Sequence, residues 1–337
     1  MTESTALRKV IERLELAQRV LVIGHARPDG DAVGSVAGLV LILRRRGKKA
    51  IGCIADGVPW FYRYLVGKDL IRTPERLGEF QFDTVVAVDS SDLARLGDAQ
   101  ALLGGNPPDI VLDHHRTNVG FGRIKYCDPA APATALIVYE IAKALVPMDE
   151  ELAQMLLLGI ATDTGFFKYG NSDHRVLEVA AELVKRGANL PRLAAAALEN
   201  KTPSGLRLLA RMLETVALAA DGKVAYGWVS AAMLAETGCT EQEAEGFVGE
   251  VRALHGVEVA LLFVESPPGE VHVSLRSKSY VDVSEIALAL GGGGHPRAAG
   301  CLLRVPSIED AIRKVVPLII DALRGGRLAA EGDRTDG

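Results

Sequence analysis

The chain has 337 residues, 48% of them apolar and 24% charged, with a formal net charge of −5. That length predicts two domains, each with its own core, and the acidic balance excludes a general electrostatic grip on long duplex DNA. A short anionic substrate, held by cations and a few basic side chains, remains compatible with it. Cys53, Cys127, Cys239 and Cys301 are dispersed with no C-x-x-C pair, which argues against a zinc site or a disulfide framework. Glu3, Arg8, Lys9, Glu12 and Arg13 interrupt any signal-peptide core. The longest apolar stretch, Val36 to Leu43, is too short to span a bilayer. A cytoplasmic protein with no membrane partner is expected.

Leu7, Val10, Ile11 and Leu14 follow helical spacing and predict an amphipathic opening helix. Arg19 to Ile23 (RVLVI) reads as a short buried strand, and the residues from Asp31 to near Arg46 as a helix that stops at Gly47. His25, Asp29 and Asp31 lie between them, where a strand's C-terminal end meets a helix start. Open α/β sheets bind ligands there. Two carboxylates and an imidazole suit a divalent metal; the plainer alternative is a surface turn in which Asp31 caps the helix. Lys49 to Ile54, Thr84 to Val88 and Asp109 to Leu112 read as further strands, the last two ending in Asp89 and in Asp113-His114-His115. Strands alternating with helical stretches predict an α/β domain with a doubly wound, mostly parallel sheet. Three strand ends bearing acids or imidazoles then share one sheet edge, which favours convergence on a metal.

Helices are predicted over 130–145, 150–161 and 173–186. The second runs into Asp163, a carboxylate that opposes the helix dipole and so calls for a partner, for which a cation is a candidate. Residues 189–215 read as an alanine-rich helical connector. Beyond them come a hairpin over 216–229 turning at Asp221-Gly222, a helix over 240–255 and strands over 257–265 and 270–277. A helix over 282–290, a strand over 301–305 and a helix over 308–323 complete a smaller C-terminal α/β domain. The expected plan is a catalytic domain over 1–188, the connector over 189–215, a second domain over 216–325 and a disordered tail over 326–337.

The run Gly291-Gly292-Gly293-Gly294 before His295 offers backbone N–H groups to an anion or forms a flexible loop. No Lys-Ser/Thr follows it, as a P-loop would require, and no dinucleotide fingerprint is present. Arg276, on an alternating strand ahead of Lys278, is suited to clamping a phosphate, or is a solvated strand residue.

Together these motifs resemble the DHH phosphoesterase superfamily, in the branch with a DHHA1 C-terminal domain and nearest its nanoRNase/pAp phosphatase group. Asp113-His114-His115 matches the name-giving triplet, with Asn118 just after it. His25-x-x-x-Asp29-x-Asp31, Asp89 and Asp163 match the other acidic motifs in order, and Gly291 to His295 resembles the DHHA1 glycine motif. The resemblance covers nearly the whole chain. It implies two divalent ions, manganese being suited to mixed imidazole and carboxylate ligation without thiolate. His25, Asp29 and Asp89 would hold one ion, and Asp31, Asp89, His114 and Asp163 the other. Asp113 would orient a histidine from behind. The implied catalytic groups are Asp89, Arg276 and His115, the last as general acid or charge stabiliser. Substrate contacts are implied for Arg276, Ser277, Lys278, Gly292, Gly293, Gly294, His295 and Arg116. The implied function is hydrolysis of RNAs a few nucleotides long to mononucleotides, and of pAp to AMP, by in-line water attack at a two-metal site. The alternative is a cyclic-di-AMP or pApA phosphodiesterase; an inorganic pyrophosphatase and a non-catalytic nucleotide-binding regulator stand further off. Homodimerisation is an expectation of the resemblance alone.

Overall fold

The computed structural model describes residues 5–332, in two compact units divided between Asn200 and Lys201. In the first unit, β1 (Arg19–Ile23), β2 (Lys49–Cys53), β3 (Ile71–Arg72), β4 (Thr84–Val88), β5 (Ile110–Asp113) and β6 (Ile124–Cys127) form one sheet. Its order is β3-β2-β1-β4-β5-β6, and every neighbouring pair is parallel. Side chains alternate across the sheet, as a period of two requires. Val20 and Val22 enter the core beneath the helices, while Leu21 and Ile23 enter a second cluster with Leu77, Leu96 and Leu103 on the opposite face. Both faces are therefore covered, which explains why the strands are apolar throughout.

The larger cluster collects α1 (Thr5–Leu16), α2 (Gly30–Arg45), α3 (Thr134–Leu145), α4 (Glu150–Asp163), α5 (His174–Lys185) and α6 (Leu190–Leu198). The helix α2 is buried from Gly30 to Leu43. Gly30, Gly34 and Gly38 recur every fourth residue and so lie along one face. A Cβ at Gly34 would strike the Met155 carbonyl and the Gly159 backbone, one at Gly30 the Thr162 side chain, and one at Gly38 the Leu156 side chain. The helix α4 thus packs onto the bare backbone of α2, which brings its last residue, Asp163, to the N-terminal end of α2. Glycine costs about 1 kcal/mol against alanine within a helix; the close packing outweighs that cost.

In the second unit α7 (Pro203–Glu214) precedes β7 (Ala217–Ala219), β8 (Val224–Val229), α8 (Ala231–Thr237), α9 (Phe247–Arg252), β9 (Val259–Glu265) and β10 (Glu270–Ser277). There follow α10 (Val283–Ala289), β11 (Gly293–His295), β12 (Ala298–Arg304) and α11 (Ile308–Gly332). The strands form a mixed sheet, β11-β12-β10-β9-β8-β7, antiparallel except between β8 and β9. One face packs on α10 and α11, the other on α7, α8 and α9.

The α/β class, the parallel sheet and the smaller second α/β unit agree with the sequence. Four details differ. Residues 189–215 are not one connector: α6 belongs to the first unit and α7 to the second. The expected helix over 240–255 is a 3-10 turn, Glu241–Ala244, and the short α9, because Gly246 at φ 82° breaks the run. Residues 326–332 continue α11 rather than forming part of a disordered tail, and 333–337 lie outside the described residues. The strands β3 and β6 and the helix α8 carry no clear periodic signal. Among the described residues no helix is long and apolar enough to cross a membrane.

Candidate metal centre

The sheet order reverses between β1 and β4, which makes that gap the switch point where a doubly wound sheet opens a crevice at its strand C-termini. His25 follows β1, Asp89 follows β4, and Asp113 ends β5 ahead of His114 and His115. Asp29 is the N-cap of α2, its Oδ1 accepting from the N–H groups of Asp31 and Ala32 at 3.0 Å each. The cap is thus Asp29; Asp31 lies in the first turn with its carboxylate turned inward. Asp163 arrives from the end of α4.

These side chains meet as two groups around one carboxylate. His25 Nε2 lies 3.7 Å from Asp29 Oδ1 and 3.5 Å from Asp89 Oδ2. His114 Nε2 lies 3.1 Å from Asp163 Oδ2, 3.5 Å from Asp89 Oδ1 and 3.7 Å from Asp31 Oδ2. Asp89 therefore turns one oxygen to each group. Donors bound to one divalent ion by bonds of about 2.1 Å stand about 3.0–3.5 Å apart, and the distances from each histidine to its carboxylates lie within that range or 0.2 Å beyond it. Each histidine is oriented to match: Nδ1 donates to a backbone carbonyl, Ala26 at 2.8 Å for His25 and Ala131 at 3.1 Å for His114. That hydrogen bond leaves Nε2 to face the carboxylates.

Charge in this space is strongly coupled. Burial alone would lower the His25 pKa, but Asp29 and Asp89 raise it to about 10. His114 is raised likewise, burial being outweighed by Asp163, Asp31 and Asp89. Burial and the neighbouring charges of Asp89 and Asp163 push Asp31 well above the carboxylate range. Asp89 goes the other way, since the three histidines outweigh its burial. A cluster that retains protons against burial presents a field that a divalent cation answers better, and such a cation displaces those protons on binding. Oxygen and imidazole donors without sulfur suit a hard or borderline ion. Asp29, with its side chain 45% exposed, and Asp163 at 21% open the cluster to solvent; Asp31, Asp89 and His114 are buried.

Strain gathers here too. Arg27, Asp89, Phe166 and Phe167 have φ of 52°, 55°, 55° and 66°, a region that costs non-glycine residues about 1–3 kcal/mol each. Asp89 is driven there as its N–H continues the ladder to the Leu112 carbonyl at 2.9 Å while its side chain turns into the crevice.

Asp113 lies behind the cluster. Its Oδ1 accepts from His115 Nδ1 at 2.7 Å, and its Oδ2 from Asn118 Nδ2 at 2.6 Å. Asn118 also donates to the Ser90 carbonyl at 3.1 Å, which joins the ends of β4 and β5. Arg116 is exposed just beyond. The sequence carries no direct sign of Thr134, which contacts both Asp31 and Asp89. The available signal is a threonine opening a helix after Ala133, a residue with no capping group.

The remaining sequence candidates lie in the second unit. Gly291 and Gly292 are not an open cradle: their N–H groups donate to the Leu288 and Ala287 carbonyls at 3.0 and 2.7 Å, closing α10 as a Schellman motif with Gly291 at φ 81°. Gly293, Gly294 and His295 form β11, paired with β12, so the strand starts at Ala298 rather than Cys301. Ser277 is buried and its hydroxyl donates to the Pro296 carbonyl at 3.2 Å. The Lys278 ammonium donates to the Leu254 carbonyl at 2.7 Å, which draws it to the end of α9. Arg276 is half-buried on β10, its register partner being Ala298.

Residues 19–160 match the model of the DHH family N-terminal domain, and residues 221–322 that of the DHHA1 domain. The chain belongs to the DHH family. DHH proteins of this kind are phosphoester hydrolases, and this one is a hydrolase. A Thermus thermophilus protein named bifunctional oligoribonuclease and PAP phosphatase NrnA is 36% identical over 329 residues, covering 96% of each chain. A Listeria monocytogenes protein named cyclic-di-AMP phosphodiesterase PdeA is 25% identical, covering 94% of this DHH chain and 49% of its own. Among solved structures, an exopolyphosphatase-related protein from Bacteroides fragilis superposes with a TM-score of 0.82 at 23% identity, covering 94% of this chain and 95% of that one.

Proposed function

We propose that this DHH protein hydrolyses RNAs a few nucleotides long to mononucleotides and pAp to AMP, using two divalent ions, with manganese as the native metal. The observation that carries the two-ion reading is Asp89, whose oxygens are divided between two donor groups. The relative from Thermus thermophilus supports the substrate class. His25, Asp29 and Asp89 would hold one ion, and Asp31, Asp89, His114 and Asp163 the other. When bound, such ions lower the pKa of a water and neutralise the phosphate oxygens during in-line displacement.

The protein's own groups do the rest. His115, with Nδ1 committed to Asp113, turns Nε2 to the reacting phosphate, where it gives a proton to the leaving oxygen or stabilises its charge. Arg276 binds a phosphate of the substrate. β11 is the edge strand of its sheet, and Gly293, Gly294 and His295 on it are further candidate contacts to that phosphate. Arg116, in the first unit, and His295, in the second, are further candidate substrate contacts. A net charge of −5 supports a short substrate over a long strand, which would need an extended basic channel. A cytoplasmic location and a homodimer complete the reading.

The test is hydrolysis of pAp, an RNA dinucleotide, a long RNA and cyclic-di-AMP, each with Mn2+ and with chelator. Mn2+-dependent cleavage of pAp and the dinucleotide, with the long RNA slow, is the expected result. Preference for cyclic-di-AMP would transfer the same residues to second-messenger turnover, and no turnover of any substrate would refute the catalytic reading.

A further inference from the structure

We infer that Thr134 is the positioning residue that sets the two ligand groups relative to each other. The inference rests on the two-ion reading above. Thr134 opens α3, is fully buried, and follows Ala133, which has no side chain to cap the helix. The first turn of a helix leaves N–H groups unsatisfied. Here the missing cap comes from another helix. Asp31, from α2, accepts the Thr134 N–H at Oδ2 (2.6 Å) and the Ala135 N–H at Oδ1 (2.8 Å). Ser35 Oγ adds a third donor to Oδ1 at 3.1 Å. The plane of the Asp31 carboxylate is therefore fixed by α3, with Oδ2 presented toward His114.

The Thr134 hydroxyl performs the second half. Oγ1 donates to Asp89 Oδ1 at 3.1 Å, the oxygen on the His114 side. The carboxylate torsion of aspartate is broad and roughly two-fold, so packing alone specifies it poorly. A donor on one oxygen specifies it: with Oδ1 held, Oδ2 must point to His25. One residue thus anchors Asp31 through its backbone and Asp89 through its side chain. The backbone contact survives any substitution that leaves α3 intact, whereas the hydroxyl contact is removed by mutation alone. Isosteric Thr134→Val tests the second without disturbing the first.

The measurement is calorimetric titration of apo protein with Mn2+, using wild type, Thr134→Val, Thr134→Ala and Thr134→Ser, with thermal midpoints taken in chelator. Removing a group that orients metal ligands typically weakens metal binding by about 10–100-fold. Thr134→Val is expected to lose affinity on that scale, Thr134→Ser to stay within a few-fold of wild type, and the midpoints in chelator to stay close together. Thr134→Ala covers the case in which the valine methyl does not fit. Wild-type affinity in both variants lacking the hydroxyl, or a Thr134→Ser loss as large as theirs, would overturn the inference. Wild type taking up a single ion would instead refute the two-ion reading, and the same comparison then judges Thr134 on that ion.

Discussion

Asp113 Oδ1 accepts from His115 Nδ1 at 2.7 Å, and the same oxygen accepts the His114 backbone N–H at 2.9 Å. One buried carboxylate therefore governs the ring orientation of His115 and the backbone of the residue beside it. Asp113→Asn would place an amide where His115 needs an acceptor. Activity is expected to fall about 10–100-fold, mainly in kcat, with Mn2+ stoichiometry unchanged. Steady-state kinetics beside metal analysis checks this, and loss of a metal equivalent would contradict the assignment.

Asp89→Asn keeps the shape of the proposed shared ligand and removes its charge. Turnover is expected to drop on the order of 10³-fold or more, equivalent to about 4 kcal/mol of barrier. Bound metal should fall below two equivalents, while the far-UV spectrum stays native. Substantial residual activity at saturating Mn2+ would remove Asp89 from its shared position.

Gly34→Ala adds a Cβ against the Met155 carbonyl and the Gly159 backbone. Overpacking of this kind costs about 1–3 kcal/mol, opposite in sign to the helix-propensity gain. Denaturant unfolding should show the loss. A neutral or stabilising effect would mean that α2 and α4 can move apart.

Glu258 gives the second unit an acid-sensitive element. It is buried, which would raise its pKa, but the Ser279 hydroxyl and the N–H groups of Val281, Ser279 and Tyr280 hold it below the ordinary 4.5. A depressed folded pKa contributes stability that is present above 4.5 and lost as pH falls through the folded value. Unfolding of the second unit should become easier once pH falls below about 4.5 and on through the folded value, with no such change between neutral pH and 4.5. Glu258→Gln should be less stable at neutral pH and show a shallower fall; parallel slopes would refute the contribution.

Much of the site was legible because its groups sit in short local motifs. His25, Asp29 and Asp31 fall within seven residues, and Asp89 and Asp113 end apolar strands, so chain order alone placed them on one sheet edge. What escaped depends on partners distant in sequence. Thr134 reads as an ordinary helix residue until α2 supplies Asp31 as its cap. The glycine run reads as open loop because neither its hydrogen bonds to α10 nor its pairing with β12 is local information. The spacing of Gly30, Gly34 and Gly38 was visible, and a four-residue glycine repeat in an apolar helix does point to close packing. The strand β3, only two residues long, has too few residues to show a period.

The candidate ligands are strung along the chain in an order that matters during synthesis. The group of His25, Asp29 and Asp89 has all its members once the chain has been made as far as Asp89, whereas the other group waits for Asp163, beyond two more strands and α3. A nascent chain emerging from the ribosome therefore completes one donor group well before the other. On the proposed assignment, the first ion has its full donor set while α4 is still to be made, whereas the second set is complete only once α4 has docked on the glycine face of α2, ahead of α5 and α6.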